Sequence, residues 1–184
     1  MQAWPKLTLP LVLVSAIAFA QSASPTGGKS ASGFTLTSTA FAPGASIPEP
    51  YSCKGADISP TLQWSGAPPN TFSFALIMDD PDAPAGMWVH WVMWNLPRAA
   101  HSLPENVDKR EQLDDGSRQG TNSFQKLGYN GPCPPAGQTH RYFFRLYALD
   151  GKLDLASSAT RAELDAAMKG HVLAQTEYMG AFHR

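Results

Sequence analysis

A period of two runs through the apolar residues of this chain, and it restricts the fold more than any other feature. Phe72, Phe74, Leu76 and Met78 recur at every second position in a segment that runs into Asp80. From His140 to Asp150, the residues His140, Tyr142, Phe144, Leu146 and Ala148 alternate with Arg141, Phe143, Arg145, Tyr147 and Leu149. Successive side chains of an extended chain point to opposite faces, so each segment predicts a strand with a buried face. Val89 to Leu96 is apolar on both faces, which predicts a central strand. These three strands are expected in the middle of one sheet.

Other elements follow from local chemistry. Thr160-Arg161-Ala162-Glu163 fits a capping box, and Leu164, Ala167 and Met168 form an apolar stripe that ends near Gly170. This predicts one short helix, with a last strand from about Val172 to Phe182 returning to the sheet. Phe41 to Pro60 and Pro97 to Phe124 read as long connections, the first rich in Pro and Gly, the second polar with a turn at Gly116. Connections of that length in a small domain are usually functional or disordered. The class is mainly β.

The N-terminus carries a separate signal. Lys6 precedes an almost wholly apolar run from Leu7 to Ala20, and Ala18-Phe19-Ala20 has the small-x-small form of a signal-peptidase site. A bilayer-spanning helix needs about 20 apolar residues, so this run, interrupted by Pro10, is too short for a stable membrane anchor. Residues 1–20 are expected to be a signal peptide, 21–33 a flexible leader rich in Ser, Gly and Ala, and 34–184 the domain. The mature protein is then periplasmic or secreted. Export also changes how the two cysteines are read. In an oxidising compartment Cys53 and Cys133 allow one intramolecular bond; the alternative is two unpaired thiols in two loops.

Composition excludes several classes. The chain of 184 residues has a formal charge of −1, with no Lys/Arg cluster of the kind nucleic acid requires. Its five histidines are scattered, no cofactor motif is present, and no metal is expected. Neither a His-Glu-x-x-His helix, a nucleophile elbow nor a phosphate loop supports an enzyme. At 43 % hydrophobic residues, the chain can bury a core without metal support.

Two segments carry chemistry. Asp79-Asp80-Pro81-Asp82-Ala83-Pro84 ends a strand in a stiffened corner, where a carboxylate can orient an imidazole or favour its charged form. Trp88-Val89-His90-Trp91 follows shortly after. The second segment, Gly128-Tyr129-Asn130-Gly131-Pro132-Cys133-Pro134-Pro135, leads into His140-Arg141-Tyr142. His140 and Tyr142 share a face by parity, so an imidazole and a phenol can converge on whatever the Gly/Pro loop cradles.

Taken in order, Asp-Pro-Asp-Ala-Pro, His90-Trp91-Val92-Met93-Trp94-Asn95-Leu96-Pro97 and Gly-Pro-Cys-Pro-Pro…His-Arg-Tyr resemble the phosphatidylethanolamine-binding protein family. Ser52-Cys53-Lys54-Gly55…Ser59-Pro60 and Gly-His-Val-Leu-Ala near the end resemble its bacterial branch. The resemblance covers about Phe34 to Arg184. It implies a large central antiparallel sheet packed with a smaller one, with one or two short helices including a C-terminal one. It also implies a pocket for phosphate, other small anions or phosphate-bearing head groups, lined by Asp80, Asp82, His90, His140 and Tyr142, with Gly131, Pro134 and Pro135 in its wall. Two departures bear on head-group selectivity: Cys133 stands where mammalian members have Gly, and Trp88-Val89 precedes His90 in place of Trp-His. The family also includes inhibitors of enzymes, so regulation of a partner protein, a protease or other enzyme, is the alternative. A metal-dependent hydrolase using Asp80, His90 and His140 is a third reading.

Overall fold

The computed structural model describes residues 1–2 and 33–184, so the cleavage sites and nearly all of the leader lie outside the described residues. The domain is built on two antiparallel sheets. β1 (Thr35–Thr37), β2 (Leu62–Ser65) and β5 (Ser102–Leu103) form the smaller, in the order β1-β2-β5. The larger is β6-β4-β3-β7-β8, with β3 at Ser73–Asp80, β4 at Trp88–Pro97, β6 at Arg118–Gln119, β7 at Thr139–Leu149 and β8 at Val172–His183. The three strands expected from alternation are therefore adjacent in the middle. Phe72 differs from expectation. Pairing of β3 begins at Ser73, opposite Leu149 and Pro97, so Phe72 lies beyond the strand and is half exposed.

Each face of the large sheet has its own core. Phe74, Leu76 and Met78 of β3 join Tyr142, Phe144 and Leu146 of β7 under the small sheet's Leu36, Leu62 and Trp64. Ala75 and Ile77 point the other way and pack with Val92, Trp94, Leu149 and the helix residues Leu164 and Met168. That helix, α1, spans Arg161–Met168, and its start is secured by Glu163 accepting a hydrogen bond from the Thr160 amide at 2.7 Å. A 3-10 turn at Glu49–Tyr51 is the second short helical piece. Every residue of β3 is buried, because both faces are covered.

β4 breaks the alternation where the site needs it broken. Met78 pairs with Trp91 and Asp79 with Val89, which leaves His90 as the extra residue of a β-bulge. Strict alternation from Trp91 would turn His90 toward Val92. The bulge instead brings its ring to Tyr142, edge-on, with centroids 5.2 Å apart.

Candidate functional site

The paired ends of β3, β4 and β7 and the loop before β7 enclose a cavity of about 330 Å³. Asp80, His90, His140, Pro134 and Pro135 line it, joined by Trp88, Phe124 and Arg184. His140 is held from both sides: Nδ1 donates to Asp80 Oδ2 at 2.7 Å, and Nε2 lies 3.0 Å from Gln138 Oε1. Both members of the His140–Asp80 pair are 4 % exposed in their side chains, so the contact is screened little by solvent.

His90 is placed from another direction. Its Nδ1 lies 2.7 Å from the Asn130 carbonyl, and a carbonyl only accepts, so Nδ1 carries the proton. The Asn130 amide donates back to the His90 carbonyl at 3.0 Å. Asn130 is itself anchored by Asp57, whose carboxylate accepts from Asn130 Nδ2 at 2.8 Å and from the Gly131 amide at 2.6 Å. Burial lowers the pKa of His90, opposed by the Asn130 carbonyl and by the Asp80 carboxylate.

Three residues expected in the pocket are not among those that line the cavity. Asp82 is taken up by Arg141, whose Nε and Nη2 donate to it at 2.9 and 2.7 Å while the Arg141 amide donates at 2.9 Å. That guanidinium holds the Asp82 carboxyl down at a pKa of about 2. Gly131 faces the 51–57 segment: a Cβ there would stand 2.1 Å from the Tyr51 carbonyl, so only glycine permits this approach. Tyr142 is fully buried behind His90. Its hydroxyl lies near Asp80 and the Cys133 main chain without a hydrogen bond of ordinary length, and burial pushes the phenol far above its usual range. A disulfide joins Cys53 to Cys133, with Cα atoms 5.4 Å apart, and ties the early loop to the cavity wall.

Sequence reasoning missed Arg184, Gln138 and Asp57. Arg184 reaches the rim because Thr139 pairs with His183 at the close of β8, and its Nη1 lies 3.4 Å from the Pro134 carbonyl. Only the β7–β8 register would have pointed to it. Larger depressions of about 530 and 440 Å³ lie beside the start of α1 and along β8, on the other face. Their charged groups are already paired, since Arg161 and Arg145 both bind Asp79, and Arg145 also binds Glu177. The smaller cavity, where His90 Nε2 has no hydrogen-bond partner among the described residues, is therefore the stronger candidate. Among the described residues no three His, Cys, Asp or Glu side chains converge as metal ligands would; Asp80 and His140 bond to each other instead.

The family model for "Phosphatidylethanolamine-binding protein" matches residues 37–183. A UPF0098 protein of Methanothermobacter thermautotrophicus is 50 % identical over 149 residues, which are 81 % of this chain and 98 % of that one. One from Pyrococcus horikoshii is 39 % identical over 97 % of this chain and 90 % of its own. Among solved structures, a putative homologue from Chlamydia trachomatis, CT736, superposes with a TM-score of 0.76 at 39 % identity, covering 84 % of this chain and 99 % of that one. E. coli YbcL, described as a new member of the mammalian family, superposes at 0.77 with 32 % identity, covering 82 % and 98 %. With the fold, the motif order and these matches in agreement, the chain belongs to the phosphatidylethanolamine-binding protein family.

Proposed function

We propose that this protein is an exported binding protein for small anions and phosphate-bearing ligands, and that it binds them in the cavity at the ends of β3, β4 and β7. The observation that carries this reading is the pairing of a carboxylate-held imidazole with a second, partnerless imidazole edge. His140 is fixed by Asp80, and His90 keeps Nε2 free of any protein partner among the described residues. Arg184 adds a guanidinium at the rim. An oxyanion needs convergent donors and a positive charge, and this set offers them in a partly desolvated space.

The test is a calorimetric titration of inorganic phosphate into wild type and His140→Ala. Weak binding is expected in wild type, with a loss of roughly tenfold or more in the variant, the size of one charge-assisted hydrogen bond. Unchanged affinity in a folded variant would move the ligand elsewhere and favour regulation of a partner protein through exposed loops.

A further inference from the structure

The two imidazoles of the cavity differ in what they can offer. His140 is set against acceptors on both nitrogens, the Asp80 carboxylate and the Gln138 amide oxygen. His90 is the opposite case. Asn130 receives the Nδ1 proton, so in the neutral ring Nε2 carries a lone pair and no proton. His90 is 2 % exposed, lines the cavity, and has no protein partner at Nε2 among the described residues. The tautomer is enforced from a distance, because Asp57 clamps both the Asn130 side chain and the Gly131 amide that follows it. A buried acceptor of this kind is poorly matched to a ligand made only of acceptors.

The charges around the cavity point the same way. Asp80 is negative and bonded to His140, Arg184 is positive at the rim, and Asp82 and Arg141 neutralise each other. These four charges sum to zero, so a ligand with one negative charge is tolerated better than one with two.

We propose that the cavity selects a singly protonated oxyanion, inorganic dihydrogen phosphate or a phosphate monoester monoanion, whose P–OH donates to His90 Nε2. This rests on the anion-binding reading above and adds the ligand's protonation state to it. The remaining P–O oxygens face the Arg184 guanidinium and His140 Nε2, where the ligand takes the place of Gln138 Oε1 as acceptor. Anions without a proton, such as the isosteric sulfate or the bulkier phosphate diesters, place an oxygen lone pair against that of Nε2 and are rejected. Burial, which disfavours charge on His90, keeps it an acceptor near neutral pH. The other titratable or charged groups near it are Asp80, His140 and Tyr142 on the strands, Asp57 behind the loop, and Arg184 at the rim.

The experiment is a calorimetric titration of the full chain at about pH 6.5 with four probes: inorganic phosphate, glycerol phosphate, sulfate and dimethyl phosphate. Phosphate and glycerol phosphate are expected to bind at least about tenfold more tightly than the two proton-free anions, as for one buried hydrogen bond gained or lost. Dimethyl phosphate carries one negative charge and no P–OH, so it separates protonation from charge. The ratio of glycerol phosphate to inorganic phosphate distinguishes a phosphate monoester from free phosphate. Equal binding of phosphate and sulfate overturns the selectivity while leaving the anion site intact; no binding by any probe overturns the site itself. In His90→Gln the amide can turn its NH2 toward the ligand, so the phosphate-to-sulfate ratio is expected to fall to within about threefold of unity. A readout independent of any variant is long-range ¹H–¹⁵N NMR of the wild type, which should show His90 protonated at Nδ1; a proton on Nε2 overturns the proposal.

Discussion

Asp79 and Asp80 are neighbours on β3, yet their carboxylates serve opposite faces of the large sheet and share no partner. Asp79 accepts from Arg145 Nε at 3.0 Å and from Arg161 Nη1 at 2.6 Å, on the helix-covered face. Asp80 accepts from His140 Nδ1 on the cavity face. Two chemically identical side chains, one residue apart, are therefore expected to fail differently when altered.

Asp79→Asn removes the negative charge that, among the described residues, Arg145 and Arg161 share inside the sheet–helix interface. Its stability should fall by about 3 kcal/mol, the lower end for a broken buried pair, since both arginines keep about a quarter of their surface in water. Phosphate affinity per folded molecule should stay within about twofold. Asp80→Asn should instead weaken phosphate binding by roughly tenfold or more. Urea denaturation and calorimetry on the two variants check the contrast; equal effects on affinity would break it.

His90 sets a pH dependence of stability whose sign follows from burial. Its folded pKa lies below the ordinary value, so between the two the unfolded chain binds more protons than the folded one. Stability contributed through this ring is therefore complete above about pH 6.5 and falls as the pH drops toward the folded pKa. Urea midpoints of wild type and His90→Gln at about pH 5 and about pH 7 test this, with the wild type losing more on acidification. A parallel shift in both proteins would sink the assignment.

The Cys53–Cys133 bond closes a separation of 80 residues, for which the chain-entropy model gives about 4 kcal/mol. Thiol labelling of denatured, unreduced protein should find nothing to modify. The Cys53→Ser, Cys133→Ser double variant should be less stable by about 2–4 kcal/mol. It should also bind phosphate more weakly, because Cys133 belongs to the cavity wall.

Export should leave a mature chain beginning at Gln21, or at Ser24 if cleavage follows Ala23. Intact mass of protein recovered from an exporting host decides this, and a main species that retains Met1 would falsify it.

Much of the fold was legible because β3, β4 and β7 express it locally, as alternation or as apolar runs. The capping box at Thr160 announced α1 in the same way. The strands of the small sheet were not legible, with three residues in β1, four in β2 and two in β5, too few to show a period, and the same holds for the large sheet's two-residue edge strand β6. In the site, Asp80, His90 and His140 were visible as residue types in a suggestive order. Asp82 does not line the cavity because Arg141, which captures it, lies 59 positions away and is invisible to local reading. Tyr142 does share its face with His140, but parity does not say that the second residue lies deeper than the first. The bulge that turns His90 toward Tyr142 depends on the pairing of two strands, so no single segment encodes it.

The complete burial of β3 leaves the strand open to a particular error. With apolar residues on both faces, hydrophobicity barely distinguishes the correct threading from one displaced by a single position. In the displaced arrangement Met78 would meet Arg145 and Arg161, leaving two guanidinium groups facing a thioether, at a cost of about 3–5 kcal/mol. Asp79 would occupy the place of Asp80, and Asp80 would leave the strand. The adjacent carboxylates thus carry in charge the register that hydrophobicity leaves open, since the displaced arrangement strips both arginines of Asp79.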